Sequence, residues 1–261
     1  MSAATTLGGG KGVNRAGRCT LLGLIVLAGC SSVGSTSGDY DYECPEDGLV
    51  QVTLMNLSNG SRDEVITGER LDAVQVDVER AFDCEASFTL AAWSSSSAST
   101  TVLFEGELVT SGASEIGRDR KIEEAVDEVM AEIRTELEGA FASIDGSSSD
   151  MTAAFAIAAD RFQTAPVGAQ KRLTVLADGI STTGTAENNS PTLTEEDMIA
   201  LARTLRPVDL AGVEVAILGV GRIAGTEQPP EDYVAKLRVY LEEMCGLTGA
   251  TCRVASSSSN L

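Results

Sequence analysis

The sequence has no histidine among its 261 residues. Histidine is the usual base that activates a serine or cysteine nucleophile, so the Ser-His-Asp and Cys-His types of catalytic site are excluded. The same absence removes the usual zinc ligand. No two cysteines have Cys-x-x-Cys spacing, which argues against a zinc site made of four thiolates.

Positive charge is also scarce, because 19 Lys and Arg residues stand against 39 Asp and Glu residues. Three of the basic residues and none of the acidic ones precede Cys30. This leaves 16 basic and 39 acidic residues from Cys30 onward, a net charge of −23. A surface of this charge repels phosphate backbones and anionic lipid headgroups. We therefore expect no nucleic-acid partner.

The N-terminal apolar run is too short to span a bilayer. The apolar segment Cys19 to Ala28 is ten residues long, whereas a spanning helix needs about 20 apolar residues. Lys11, Arg15 and Arg18 precede this run, and no acidic residue accompanies them. A basic segment followed by a short apolar segment is typical of an export signal, so residues 1–29 are predicted to be a signal peptide.

The signal ends in Leu27-Ala28-Gly29-Cys30, which resembles the lipobox of bacterial lipoproteins. The resemblance implies cleavage before Cys30 and acyl chains such as palmitate on that residue. The mature chain would then be lipid-anchored on the extracytoplasmic face of a bacterial cell membrane. The alternative is an ordinary signal peptide that happens to contain Cys30. Residues 30–43 are rich in Ser, Gly and Asp and are predicted to form a flexible tether.

Four cysteines remain after Cys19 and Cys30. An even number in an exported chain favours two disulfides, and three pairings are open at this point. These cysteines are Cys44, Cys84, Cys245 and Cys252.

Apolar runs and amphipathic segments alternate along the rest of the chain, which is long enough for one domain of roughly 200 residues. Asp150 and Thr194 are predicted helix N-caps, and Asp197 can complete a capping box with Thr194. Strands are predicted at 49–55, 86–93, 101–108, 171–177, 212–219 and 251–254, and helices at 62–82, 118–143, 151–162, from 194, and from 229 to 245. This order indicates an α/β fold with a doubly wound, mostly parallel sheet and helices on both faces.

Loops at the carboxyl ends of parallel strands form the binding edge of such a sheet. Asn56 to Ser61, Ser147 to Asp150, and Asp178-Gly179 are predicted at that edge. With this element order and the segment LTVLADGIS at 173–181, the chain resembles a von Willebrand factor A domain over roughly residues 48–255. The resemblance implies a Rossmann-like three-layer sandwich as one domain, residues 44–255. Residues 256–261 are predicted from their serine-rich composition to be a disordered tail.

That family has a metal-ion-dependent adhesion site, built from Asp-x-Ser-x-Ser, a Thr and a later Asp-Gly. Here Asn56 stands at the first Asp position, and Gly60 stands at the second Ser position. The resemblance implies Ser58, Ser149 and Asp178 as ligands of Mg²⁺ or another divalent cation, together with Asn56. Losing one carboxylate and one hydroxyl weakens such a site, so it is predicted to be degenerate. The alternative is that these side chains satisfy backbone groups at turns and helix ends.

The resemblance also implies a disulfide pairing. In this family the first two parallel strands are neighbours, so Cys44 and Cys84 would meet at the edge opposite the adhesion site. Cys245 and Cys252 would pair locally around the last helix and strand. Both bonds are expected to stabilise the fold rather than to take part in redox chemistry.

Gly219, Gly221 and Ala224 match the spacing of a dinucleotide-binding fingerprint. That fingerprint works when its glycines open a helix directly after the first strand. Here it follows a late strand and is separated from the next helix by 226–230, so a tight exit from the strand is favoured.

The features together favour a non-enzymatic, lipid-anchored binding domain. Its partner would be a protein or another envelope component that meets Asn56 to Ser61, Ser147 to Asp150 and Ile180 to Asn189. One alternative is a structural envelope lipoprotein that has lost its metal site. Another is a cation-dependent hydrolase that uses Asp178 or a serine nucleophile, for which a lysine or carboxylate would have to serve as base.

Overall fold

The computed structural model describes residues 43–111 and 115–257, apart from the side chains of residues 115 and 116. The predicted signal peptide, Cys30 and the four last residues lie outside this range, as does nearly all of the tether. Among the described residues, no helix has both the length and the apolar composition needed to cross a membrane.

The described chain alternates between strands and helices, as the sequence predicts. The strands are β1 Leu49–Asn56, β2 Ser87–Trp93, β3 Thr101–Glu107, β4 Gln170–Leu176, β5 Val213–Leu218 and β6 Thr251–Ala255. The helices are α1 Glu64–Asp83, α2 Glu115–Ser143, α3 Met151–Phe162, α4 Glu195–Thr204 and α5 Glu231–Gly246. Short 3₁₀ turns lie at Asn59–Ser61 and Ser97–Ser99.

The six strands form one sheet in the order β3-β2-β1-β4-β5-β6. β1 pairs in parallel with both β2 and β4, and β5 pairs in parallel with β4 and β6. β3 is antiparallel to β2, because a short polar turn returns the chain directly beside it. The predicted α/β class with a doubly wound, mostly parallel sheet is confirmed.

Side chains that alternate along the strands pack into two apolar cores, one on each face of the sheet. Val52 and Leu54 of β1 pack into the core that α3, α4 and α5 cover. Leu49 and Met55 face the other side, where α1 and α2 cover the sheet. Because successive residues of a strand point to opposite faces, a strand between two helical layers needs apolar residues at most positions.

The helix starts follow the predicted capping chemistry. The Asp150 carboxylate accepts from Thr152 N at 2.8 Å and caps α3. The Thr194 hydroxyl accepts from Asp197 N while the Asp197 carboxylate accepts from Thr194 N, which is the predicted capping box of α4. Each cap satisfies backbone N–H groups that have no partner inside the helix.

Two disulfides join the cysteines in the pairing that the resemblance implied, Cys44–Cys84 and Cys245–Cys252. Cys84 directly follows the last residue of α1. Cys245 lies in the last turn of α5, and Cys252 lies in β6. Both bonds therefore lie away from the edge where the parallel strands end.

Candidate functional site

Three loops meet at the edge of the sheet where β1 and β4 end, here called the upper edge. The first loop is residues 56–61, at the end of β1. The second loop, residues 145–150, connects α2 to α3. The third loop, residues 178–189, follows β4. All four predicted ligand positions, 56, 58, 149 and 178, fall in these loops.

Asn56 connects the first and second loops and is fully buried. Its Oδ1 accepts from Ser58 N at 3.1 Å and from Ser61 Oγ at 3.3 Å. Its Nδ2 donates to Ser149 Oγ at 3.1 Å. The amide therefore uses both of its ends to hold loop geometry, which a carboxylate could not do because it has no donor.

Arg62 fastens the first loop to the end of α2. Its Nε donates to Leu57 O at 2.9 Å, and its Nη1 donates to Phe141 O at 3.1 Å. Nη2 donates to Ile144 O. The last carbonyls of a helix lack partners inside the helix, so this guanidinium caps α2 while it fixes the loop.

The second and third loops are joined by backbone and hydroxyl groups. Thr182 Oγ1 accepts from Ser149 N at 2.9 Å, and Thr182 N donates to Ser149 O at 2.8 Å. Ser181 Oγ accepts from Met151 N at 3.1 Å. The three loops thus form one hydrogen-bonded unit.

Asn188 holds the third loop closed and is fully buried. Its Oδ1 accepts from Ser181 N at 2.7 Å, and its Nδ2 donates to Gly179 O at 3.0 Å. Tyr233 of α5 donates its hydroxyl to Asn188 O at 2.8 Å. Burial, with the nearby carboxylate of Asp178 as a second cause, raises the pKa of Tyr233 to about 12, so this hydroxyl keeps its proton at neutral pH.

A fourth segment, residues 219–224, closes the edge beside the third loop. Gly221 N donates to Asp178 O at 2.9 Å, and Ala224 N donates to Gly60 O at 2.7 Å. This is the segment with dinucleotide-fingerprint spacing. It forms a turn out of β5, in agreement with the strand-exit interpretation.

Asp178 is the carboxylate among the predicted ligands, and it is only 3% exposed. Its Oδ1 accepts from Ile180 N at 2.9 Å. A Cβ atom on Gly60 would lie 3.3 Å from its Oδ2, so the first loop approaches the carboxylate closely. Burial raises the pKa of Asp178, while the bond from Ile180 and the charge of Arg70 oppose the rise.

Arg70 of α1 brings a positive charge to the same place and is 4% exposed. Its Nη1 donates to Asn56 O at 2.6 Å, and its Nη2 donates to Ser61 Oγ at 3.1 Å. Burial lowers its pKa to about 10, while the charges of Asp178 and Glu69 oppose the shift. The guanidinium therefore stays charged at neutral pH.

The predicted ligands come together, but their arrangement does not fit a divalent cation. The predicted ligands are buried, and the two serines, Ser58 and Ser149, are only 6% and 2% exposed. In addition, Ser149 Oγ contacts the amide nitrogen of Asn56 rather than its oxygen. Magnesium prefers carboxylates and water in octahedral geometry. No group of three or more His, Cys, Asp or Glu residues in the described part of the chain could hold a metal ion. Metal binding here stays a prediction that the geometry does not favour.

The hydroxyl groups at the edge have partners that hold them in place without activating them. Within the described residues, Ser58 Oγ hydrogen-bonds to Ser61 Oγ at 3.3 Å, and Ser149 Oγ accepts from Asn56. A serine nucleophile needs an adjacent base, and neither partner is one. The arrangement is suited to holding a surface in one shape.

Arg62, Arg70 and Asn188 are functional residues of this edge that the sequence patterns did not predict. A signal for Arg70 was present, because it falls on the same helical face as Ile66, Val74 and Val78, which are buried. A charged residue on an apolar face of a helix indicates a buried ion pair or a functional group. Asn188 had no such signal, since it lies in a loop crowded with similar polar residues.

No protein-family model and no curated protein matches the sequence. Solved structures resemble the chain at low identity. BatB, a conserved hypothetical protein from Bacteroides thetaiotaomicron, is 15% identical with a TM-score of 0.40, and the match covers 81% of this chain and 93% of BatB.

Two further solved structures resemble the chain. A von Willebrand factor type A protein from Catenulispora acidiphila is 17% identical with a TM-score of 0.41, over 82% of this chain and 40% of that one. The pilus adhesin SpaC from Lactobacillus rhamnosus GG is 12% identical with a TM-score of 0.43, over 83% of this chain and 29% of SpaC. The chain thus spans less than half the length of these two proteins.

Proposed function

We propose that this protein is a lipid-anchored, extracytoplasmic binding domain of the von Willebrand factor A-like type. It contacts a protein or another envelope component through the upper edge, and it acts by binding rather than by catalysis. Cys30 carries the lipid, and residues 30–43 tether the domain to a bacterial cell membrane.

The observation that supports this function most is that the upper edge is built in advance. The residues that join the loops, such as Asn56, Ser149 and Asn188, are buried, whereas Ser147 and Thr185 on the same loops are exposed. A surface whose loops are already fixed loses little conformational entropy when a partner binds.

The charge of the chain restricts the partner. From Cys30 onward the chain has a net charge of −23, so the domain repels an acidic surface at long range. We therefore assign a neutral or basic contact surface to the partner. A basic surface would associate faster, because the acidic domain attracts it.

Site-specific photocrosslinking in cells tests this proposal. A photoreactive amino acid at Ser147 or Thr185 should give a discrete adduct with a partner. The matched controls are Gln163 and Val167, which are exposed between α3 and β4 at the opposite edge. Adducts of equal yield from both edges, or from neither, would contradict binding through the upper edge.

The anchor is tested separately with Cys30→Ala in the full-length chain. The wild-type protein should stay in the membrane fraction after an alkaline wash and should incorporate labelled palmitate. The variant should do neither. Retention of the unlabelled variant in washed membranes would show that another feature holds the protein there.

A further inference from the structure

A buried carboxylate needs a compensating charge or several hydrogen bonds. Asp178 is 3% exposed, and its Oδ1 accepts from Ile180 N at 2.9 Å. In the family that the sequence resembles, a divalent cation would supply the positive charge at this edge. The structure places a different positive group at the same edge.

That group is the guanidinium of Arg70, which reaches the upper edge from the second turn of α1. It donates to Asn56 O at the end of β1 and to Ser61 Oγ in the first loop. The first loop, which Arg70 holds, approaches Asp178 of the third loop closely, since a Cβ atom on Gly60 would lie 3.3 Å from Asp178 Oδ2. The negative charge of Asp178 also opposes the lowering of the pKa of Arg70. The guanidinium therefore lies at the edge where the loops after β1 and β4 meet.

We propose that Arg70 is the built-in cation of the upper edge and takes the electrostatic role that a divalent ion has in a working adhesion site. The upper edge is then assembled, and its partner bound, without metal. The consequence for partner binding rests on the proposed function, whereas the assembly of the loops does not.

Three features of the first loop agree with this role. Because position 56 is an asparagine, Asp178 is the one carboxylate among the predicted ligands that needs a compensating positive charge. Its amide nitrogen is directed at Ser149, where a metal would need an oxygen. Gly60 supplies no hydroxyl and lets the loop lie close to Asp178 Oδ2. A divalent ion added beside the guanidinium would bring two positive groups together in a site of low dielectric constant, which is unfavourable.

The role of Arg70 is tested by exchanging the cation. In Asn56→Asp combined with Arg70→Met, the carboxylate at position 56 returns and the guanidinium is removed. We expect Mg²⁺ to raise the Tm of this full-length variant by roughly 5 to 10 °C relative to EDTA, the shift for a ligand at about a hundred times its Kd in a domain of this size. The wild-type Tm should be the same in Mg²⁺ and in EDTA.

The matched control is Asn56→Asp combined with Arg80→Met. Arg80 is a buried arginine on the same helix, but it pairs with Asp77 away from the edge. This variant keeps Arg70 and should show no Mg²⁺-dependent rise in Tm. An equal rise in both double variants would overturn the proposal, as would a wild-type rise that Asp178→Ala abolishes.

A measurement on the wild-type chain keeps the proposal testable if the double variants do not fold. Mn²⁺ should broaden the amide NMR signals of Ser58, Ser61 and Ile180 no more than those of the exposed Glu128 on α2. Preferential broadening at the upper edge would overturn the proposal. Neither the melts nor the NMR spectra involve a partner, so their failure is distinct from a failure of the crosslinking experiment.

Discussion

At the scale of single residues, the side chains of the upper edge show what the sequence could and could not predict. Asn56, Ser58, Ser149 and Asp178 were predicted to meet, and the structure brings them to one edge. Their partners could not be predicted, because hydrogen bonds between loops depend on side-chain directions that a linear pattern does not contain. Arg70 is the main example, since it acts at the edge from within a helix.

The titration of Asp178 gives a prediction with a definite sign. Burial raises its pKa in the folded protein above the ordinary value of 3.8, so between these two pKa values the folded chain holds more protons than the unfolded chain. The contribution of this group to the free energy of unfolding is therefore fully present below 3.8 and is lost as the pH rises through the folded pKa.

Asp178→Asn removes this titration with little change in shape. As the pH falls from neutral towards 3.8, the Tm of the wild type should rise relative to that of the variant. The corresponding gain in the unfolding free energy of the wild type is about 1.4 kcal/mol for each unit by which the pKa of Asp178 is raised. Melting curves of both proteins across that range measure the difference, and global charge effects largely cancel. If the difference in Tm stays constant or shrinks on acidification, the pKa of Asp178 is not raised in the folded protein.

At the scale of elements, the sequence predicted every helix and strand of the described chain, with ends that differ by up to three residues. The parallel pairing followed from alternation of strands with helices, and the antiparallel β3 followed from its short connection to β2. The largest difference is α2, which begins at Glu115 rather than at 118. The exact ends depend on caps and on contacts with neighbouring elements, which apolar spacing does not specify.

The turn after β5 should tolerate a methyl group at one glycine and not at another. Gly221 has φ +80°, and a Cβ there would lie 2.6 Å from Val234 Cγ2 of α5. Gly225 has φ +98°, but a Cβ there would meet nothing within 4 Å. Both Ala variants are strained at the backbone, and only one also collides with α5.

We therefore expect Gly225→Ala to cost about 1 kcal/mol of unfolding free energy and Gly221→Ala to cost roughly 3 kcal/mol. Urea unfolding of the two variants beside the wild type measures both values. Equal losses would show that α5 is not packed against this turn.

The two disulfides should differ in how much they stabilise the fold. Cys44–Cys84 closes 40 residues and Cys245–Cys252 closes 7. Loop-closure entropy predicts about 4 kcal/mol for the first bond and about 2 kcal/mol for the second. In the denatured chain, the longer loop loses more freedom when it is closed.

Each contribution is measured by comparing oxidised and reduced protein in a variant that keeps one disulfide, with the other two cysteines changed to Ala. This comparison holds the mutations constant, so packing losses at the buried Cys245 cancel. A larger stabilisation from the short loop would contradict the entropic ranking.

At the scale of the whole molecule, the disulfides and the hydrogen-bonded loops lie in different parts of the fold. The disulfides lie away from the upper edge, where the loops are joined through buried polar side chains. We expect the strongly acidic composition to repel other acidic macromolecules, while the proposed lipid on Cys30 would hold the domain at a membrane. The fold class could be predicted from the sequence, whereas the identity of a partner could not, because contact surfaces have no spacing rule.

The central claim is that the upper edge binds its partner without metal. The most direct measurement is photocrosslinking from Thr185 in membranes washed with EDTA and in membranes supplied with Mg²⁺. We predict the same adduct in equal yield under both conditions and no adduct from Val167. An adduct that forms with Mg²⁺ and disappears with EDTA would contradict the role of Arg70, and the absence of any adduct from Thr185 would contradict binding through this edge.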